Sequence, residues 1–260
     1  MTRLSVIVPT RFERQSTGGL YVDRAVHSIR RGAAMAQIEA EVVLGCDPGT
    51  VVPDLIHSVE NIAFGKTASL PAALNAAVLR ADGDMIAFLE DDDCWRRRFV
   101  LTARRCLAAG VAEFVSSTQI ERDDATGEEI RINDFPTPSG WVMPRATFEK
   151  VGLFNEEYAV HQDNEWLGRL VQVGVRRAHL VERTAPVDPG LARMIRPWLA
   201  AAHDVGRAAL VRHSDPVPLV VRNVRAESWM GQIKAGNPER AATSTRLIRE
   251  LEARFGVMPW

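Results

Sequence analysis

The sequence has 260 residues, 46% of them hydrophobic and 25% charged, with a formal net charge of −1. A chain of this size can bury a sizeable core, its near-neutral balance excludes strong general affinity for nucleic acid, and its apolar runs are too short for a membrane span. Three irregularly spaced cysteines fit reduced thiols, and we recognise no secretory signal, so we expect a cytoplasmic protein.

Strand and helix patterns alternate through residues 1–89. Continuous apolar runs, typical of strands buried on both faces, occupy residues 4–8 and 85–89, and shorter strand patterns occupy 41–46 and 61–64. Between them, apolar side chains recur at helical spacing from residue 21 to 36 and again after Ser69, which is placed to cap the second helix until Gly83 ends it. This alternation predicts an α/β fold in which helices cover both faces of a mostly parallel sheet.

The later residues predict shorter elements in a less regular order. These are a helix over 97–109, a strand within 112–119, a charged turn at 123–129, a strand and turn within 141–151, a helix over 164–173 and an edge strand within 175–187. Beyond Pro189 the pattern turns helical. The last helix spans 239–255, and Gly256 follows it as a C-cap.

Four consecutive carboxylates, at residues 90–93, directly follow the apolar run at 85–89. In parallel sheets, ligands bind at the carboxyl ends of the strands. Adjacent carboxylates repel one another, so their presence there indicates a divalent cation that neutralises them. Hard oxygen ligands suit Mg²⁺ or Mn²⁺. The alternative is a solvated acidic loop, or a set of acids at the N-terminus of the next helix.

Four blocks of the sequence, in this order, resemble glycosyltransferase family 2, which has the GT-A fold. They are LSVIVPTRFER, VVLGCDPG, ASLPAALNAAVLRADGDMIAFLEDDDCW and GWVMPRATFEKVGLFNEEYAVHQDNEWLGRL. The resemblance implies a Rossmann-like, mixed but mostly parallel sheet in a catalytic domain at 1–188, with a nucleotide-binding half at 1–95 and an acceptor-side half at 96–188. Residues 189–260 would form a mostly helical C-terminal extension.

The resemblance also assigns roles at the ends of the first three strands. Pro9, Thr10 and Glu13 would lie in the nucleotide pocket. Asp47 would accept a hydrogen bond from the base, although an Asp-Pro-Gly turn also accounts for an aspartate there. Lys66 would approach the donor phosphates or the acceptor, or be an exposed surface lysine.

Glu90-Asp91-Asp92 corresponds to the DXD motif of the family. Asp92 is the expected direct ligand of Mn²⁺ or Mg²⁺, and Glu90, where the family usually has aspartate, would lie near the ribose, the metal or a metal-bound water. Asp91 would contribute to the donor site. Asp93 would position the loop or serve as a second ligand.

Asp163 corresponds to the catalytic base of the family, which implies an inverting transfer in which it deprotonates the acceptor. Gln162 stands where the family commonly has glutamate, and an N-cap role for Asp163 remains an alternative. No histidine follows at the family's usual metal-binding position. Asp188, His203 or His213 could replace it, or a third ligand could be missing. An interior helical Asn75 is expected to bond a neighbouring loop.

These observations predict a hexosyltransferase-like enzyme that transfers a sugar from a UDP-, GDP- or dTDP-linked donor to an unidentified small molecule, glycan or peptide. The alternative is a catalytically degenerate homologue that binds a nucleotide-sugar or a protein partner. A nucleotidylyltransferase is disfavoured because residues 8–14 contain no glycine. The amphipathic helix at 239–255 could mediate a homodimer or cap the chain's own core.

Overall fold

The computed structural model describes residues 2–15, 18–54, 59, 61–186, 188–204 and 206–256. The strands are β1 (Arg3–Pro9), β2 (Glu39–Cys46), β3 (Asn61–Phe64), β4 (Met85–Phe88), β5 (Cys94–Trp95), β6 (Phe114–Ser117), β7 (Gln119–Asp123), β8 (Glu129–Asn133), β9 (Val142–Pro144), β10 (Arg177–Val181), β11 (Ala209–Arg212) and β12 (Val220–Val224). The helices are α1 (Tyr21–Ala36), α2 (Leu70–Arg80), α3 (Phe99–Ala108), α4 (Arg145–Val151), α5 (Gln162–Gln172), α6 (Pro189–Ile195), α7 (Pro197–Asp204), α8 (Trp229–Lys234) and α9 (Pro238–Phe255).

A mixed, mostly parallel sheet forms the centre of the fold. Its strand order is β11-β10-β6-β9-β4-β1-β2-β3, and neighbours are parallel except where β9 runs antiparallel to β4 and β6. Successive side chains of a strand point to opposite faces. In β1, accordingly, Val6 and Val8 enter one hydrophobic core and Ile7 enters the other.

Helices cover both faces of this sheet, as the alternating pattern predicts. On one face, Ile29 of α1 and Phe99 of α3 belong to the first core. On the other, Leu74 of α2, Phe148 of α4 and Trp166 of α5 belong to the second core. The two cores fix the central strands between them, so the carboxyl ends of β1, β2 and β4 are held as one rigid edge.

Several local predictions are confirmed. Ser69 caps α2, because its hydroxyl accepts a hydrogen bond from the N–H of Ala72 at 3.3 Å. Asn75 bonds a neighbouring loop: its amide donates to the carbonyl of Phe154 at 2.9 Å and accepts from the same residue's N–H at 2.8 Å. Gly256 ends α9 in the left-handed conformation.

Other predictions differ from the structure. Residues 145–151 form the helix α4 rather than a turn, because Phe148 and Val151 recur on one face and pack into the second core. The predicted edge strand is internal, since β11 pairs with β10 on its outer side. Beyond Pro189, two strands that the sequence pattern did not predict, β11 and β12, lie between the helix pairs α6–α7 and α8–α9. The domain division at residue 188 stays a prediction.

A second, smaller sheet with the order β5-β12-β7-β8 lies next to the first. Its strand β12 runs parallel to β7 and antiparallel to β5, with Val220 opposite both Gln119 and Trp95. Because β5 follows the end of β4 closely, this pairing brings residues 220–225 beside the carboxylates at 90–93. The C-terminal part of the chain thus helps to build the carboxyl edge.

The C-terminal helix α9 packs on the body of the protein. Leu247 and Leu251 are buried against Tyr158, so the apolar face of α9 covers the chain's own core. None of the helices in the described part of the chain combines the length and the apolar character that a membrane crossing needs.

Candidate functional site

Polar residues follow the parallel strands at one edge of the central sheet. Thr10 follows β1, Asp47 follows β2, Lys66 lies just beyond β3, and residues 90–93 come after β4. The N–H of Thr10 donates to the carbonyl of Gly45 at 2.8 Å, so the turn after β1 stays beside β2. This edge is where α/β sheets bind ligands.

The carboxylates after β4 form a tight group. Within the described residues, Glu90, Asp92 and Asp93 form the only cluster of potential metal ligands, and each offers an oxygen within 4.8 Å of the others. Hard oxygen atoms at this spacing fit Mg²⁺ or Mn²⁺. Burial and the negative charge of Asp92 raise the pKa of Glu90, and the same two causes raise the pKa of Asp91 to about 7. A cation here would relieve that repulsion.

Asp93 holds the loop in place through both of its carboxylate oxygens. Its Oδ2 accepts a hydrogen bond from the hydroxyl of Ser139 at 2.5 Å, and its Oδ1 accepts one from the N–H of Asn223 at 2.9 Å. The side chain is fully buried. Both oxygens of Asp93 thus already take part in the hydrogen bonds that fix the loop.

Asp91 faces the turn after β1. The hydroxyl of Thr10 donates to Asp91 Oδ2 at 2.6 Å and accepts from the N–H of Phe12 at 2.9 Å. Phe12 has a positive φ of 57°, which a non-glycine residue adopts only where its surroundings hold it. The Thr10–Asp91 pair thus joins the two turns that were predicted to line the donor site.

Two arginines from the end of β12 lie against the acidic cluster, and sequence reasoning missed both. Arg225 Nε donates to Asp92 Oδ2 at 2.6 Å, and another nitrogen of its guanidinium contacts Glu13 Oε2. Arg222 bonds Glu121 at 3.3 Å; burial lowers its pKa, but the charges of Glu90 and neighbouring acids outweigh this and raise it. An apolar run, PLVV, followed by RNVR was the available signal.

Asp163 lies in the first turn of α5, and its Oδ1 accepts from the N–H of Asn164 at 2.9 Å. The N-cap residue of α5 is His161, which adopts a left-handed φ of 62°, so Asp163 is not the N-cap. Burial raises the pKa of Asp163, and its charge in turn raises that of Glu90. Gln162 and Glu90 line one small cavity. The start of α5 therefore faces the acidic cluster.

The other predicted positions are arranged as follows. Asp47 pairs with the exposed Arg11 at 2.8 Å and begins a turn in which the N–H of Thr50 donates to its carbonyl at 3.2 Å. Lys66 is exposed. The roles of Asp47 and Lys66 toward a donor stay predictions.

Among the described side chains, neither Asp188 nor His213 belongs to the cluster of potential metal ligands. Asp188 Oδ1 accepts from the N–H of Leu191 at 2.8 Å in the first turn of α6. His213 is buried, with Nδ1 at 3.9 Å from Asp215. The side chain of His203 lies outside the described part of the chain.

The fold matches solved structures of S. aureus TarS, while no protein-family model and no curated protein matches the sequence. One TarS structure superposes with a TM-score of 0.56 at 15% identity, covering 97% of this chain and 43% of that one. TarS in complex with UDP gives 0.55 at 15% identity, covering 98% and 72%. TarS in complex with UDP-GlcNAc gives 0.53 at 16% identity, covering 74% and 65%.

At these identities the likeness concerns the fold. It confirms the predicted class, a GT-A-type mixed and mostly parallel sheet with helices on both faces. The chain spans less than half the length of the first TarS structure that it matches.

Proposed function

We propose that this chain is a glycosyltransferase that passes a sugar from a nucleoside-diphosphate sugar to an acceptor hydroxyl. The observation that carries the proposal is the nearness of Glu90, Asp92 and Asp163 at the carboxyl edge of a GT-A-type sheet. TarS, which shares the fold, is known in complex with UDP and with UDP-GlcNAc. A UDP-linked donor is therefore favoured over a GDP- or dTDP-linked one.

The donor would lie along the carboxyl edge of β1 to β4. Pro9 and Thr10 form the turn beside the nucleotide, Glu13 follows them, and Asp47 at the end of β2 is available to a ring N–H of the base. Lys66, exposed beyond β3, is free to approach the phosphates. This placement keeps the base at β2 and the diphosphate at the acidic cluster.

Glu90 and Asp92 would hold Mn²⁺ or Mg²⁺ together with the donor diphosphate, since such sites combine one or two carboxylates with substrate phosphates. When bound, the cation stabilises the negative charge that develops on the departing diphosphate. Asp93 and Ser139 keep the loop in position for this contact.

Asp163 would act as the base. Its carboxylate takes the proton of the acceptor hydroxyl, the acceptor oxygen forms a bond to the anomeric carbon, and the bond from that carbon to the diphosphate breaks, with its electron pair leaving on the diphosphate. Attack from the face opposite the leaving group inverts the anomeric centre. Burial raises the pKa of Asp163, which makes it a stronger base than an exposed aspartate.

A second candidate function is binding of a nucleotide-sugar or a protein partner without transfer. The ion pair between Arg225 and Asp92 favours it, because this contact uses an oxygen of the expected metal site. A homodimer through α9 also stays a prediction.

Release of UDP from UDP-GlcNAc in the presence of Mn²⁺ tests the proposal. Asp163→Asn and Asp92→Asn should each lower the rate by about 100-fold or more, while Asp23→Asn, an exposed aspartate in the first turn of α1, serves as the matched control and should stay within about twofold. A wild-type protein that binds nucleotide yet releases none from UDP-, GDP- or dTDP-sugars would support the binding function instead.

A further inference from the structure

The end of β12 is fastened to the loop that carries the acidic cluster. The N–H of Asn223 donates to Asp93 Oδ1 at 2.9 Å, and its side-chain amide donates to the carbonyl of Asp92. The side-chain oxygen of Asn223 in turn accepts from Arg122 Nε at 2.9 Å and Nη2 at 2.8 Å. The backbone before Arg225 is thereby held against the cluster.

The guanidinium of Arg225 is itself held on three sides. It donates to Asp92 at 2.6 Å, contacts Glu13, and lies 4.9 Å from the centre of the Tyr21 ring. The hydroxyl of Tyr21 bonds Asp124, so the ring is fixed by its own contact. The aromatic ring and the two carboxylates therefore hold the positive charge of Arg225 in one position.

Arg225 and a divalent cation would compete for the Asp92 carboxylate. Asp92, whose Oδ2 accepts from Arg225, is one of the three carboxylates that could hold the ion together. A guanidinium at 2.6 Å from that oxygen would repel a doubly charged ion bound to the same carboxylate, because the two positive charges would lie within a few ångströms of each other with little water between them.

A diphosphate would remove this conflict. Planar guanidinium groups bind phosphate oxygens through two parallel hydrogen bonds, and hydrogen bonds between two charged groups are stronger than those between neutral groups. The contact of Arg225 with its second acidic partner, Glu13, restrains the arginine only weakly. The Glu13 side chain is 48% exposed, and exposed ion pairs contribute little to stability. The guanidinium of Arg225 can therefore turn from Asp92 to a phosphate while it stays over the Tyr21 ring.

We propose that Arg225 holds Asp92 in the absence of ligand and moves to the donor diphosphate when the cation takes Asp92. The proposal rests on the proposed function. It makes Arg225 a donor-binding residue that couples two binding events: the cation binds weakly alone and more tightly with nucleotide, and the nucleotide gains equally from the cation.

Binding of Mn²⁺ to the full chain tests the coupling; it is measured as the loss of the free-ion EPR signal with and without UDP, after subtraction of the loss that UDP causes in the absence of protein. UDP should tighten Mn²⁺ binding to the wild type by about fivefold or more. Arg225→Met should bind Mn²⁺ alone several-fold more tightly, and UDP should then tighten its binding by a clearly smaller factor than in the wild type, because only the direct contact between the cation and the diphosphate remains. The matched control is Arg246→Met, which removes an exposed arginine paired with Glu250 on α9 and should retain the wild-type coupling.

A measurement of folding and a second variant complete the test. Thermal unfolding shows whether Arg225→Met is folded. If Arg225→Met is not folded, Arg225→Lys tests the inference instead. Lysine keeps the positive charge but lacks the planar guanidinium that can bond two partners at once. UDP should therefore tighten Mn²⁺ binding to this variant less than to the wild type. Wild-type coupling in a folded Arg225 variant would overturn the inference and leave the proposed function standing. A wild type that binds neither UDP nor Mn²⁺ would overturn both.

Discussion

The hydroxyl of Ser139 donates to Asp93 Oδ2 at 2.5 Å while its oxygen accepts from the N–H of Glu90 at 3.1 Å. Ser139 thus ties both ends of the acidic loop to the short 3-10 turn at Pro138–Gly140. The side chain is fully buried, so no water is placed to replace either bond.

Ser139→Ala should therefore lower the free energy of unfolding by about 1–3 kcal/mol, because it leaves a buried carboxylate oxygen and a buried N–H without a partner. It should also weaken Mn²⁺ binding in the presence of UDP by about tenfold or more, since residues that orient metal ligands act at that level. Urea unfolding and the EPR titration measure the two effects. Ser116→Ala, which removes a buried hydroxyl bonded to His179 at 2.8 Å, should lose stability but keep Mn²⁺ affinity.

The buried His179 predicts a dependence of stability on pH. Burial, aided by the charge of Arg196, lowers the pKa of His179 from 6.5 to about 3. Between these values the unfolded chain binds a proton that the folded protein does not, so this contribution to stability is present above pH 6.5 and is lost as pH falls toward 3. Each pH unit within that window costs about 1.4 kcal/mol.

Comparison of wild type with His179→Gln by urea unfolding at pH 7 and pH 5 checks this. The variant should start less stable and lose less on acidification, by about 2 kcal/mol. His27→Gln, an exposed substitution on α1, should follow the wild-type slope. Equal slopes for His179→Gln and wild type would contradict a neutral buried histidine.

Glu165 joins α5 to α9. Its fully buried carboxylate accepts from Arg169 Nη2 at 2.9 Å and from Arg254 Nη1 at 2.9 Å. Glu165→Gln should lower the free energy of unfolding by about 1–3 kcal/mol, because the buried side chain loses charge-assisted hydrogen bonds to two arginines that are 19% and 43% exposed. Glu250→Gln, which breaks an exposed i,i+4 pair with Arg246 on α9, should change it by about 0.5 kcal/mol or less. Comparable losses in the two variants would be inconsistent with this role.

The first half of the fold follows from local sequence signals. β4 is apolar along its whole length, and β1 over most of it, because both faces of these strands are buried, and Ser69 caps α2 through an ordinary side-chain bond. Four acids directly after a continuous apolar run predicted, correctly, that the acidic cluster lies at an edge of the sheet. These features depend on neighbouring residues, which is why sequence reasoning finds them.

The contribution of the C-terminal part could not be predicted in the same way. β12 is short, and its place depends on pairing with β7 and β5, which lie far away in the sequence. Only that pairing brings Arg222 and Arg225 to the acidic cluster. The role of Asp93 is hidden for the same reason, since its partners Ser139 and Asn223 come from other parts of the chain.

The most direct test is a crystal structure of the protein grown with UDP and MnCl₂, with data collected to locate manganese by its anomalous scattering. We expect one strong anomalous peak at about 2–2.5 Å from an Asp92 carboxylate oxygen and from the diphosphate, with the Arg225 guanidinium turned to the phosphates. A nucleotide bound away from residues 90–93, or a diphosphate there with Arg225 still on Asp92 and no manganese, would contradict the account.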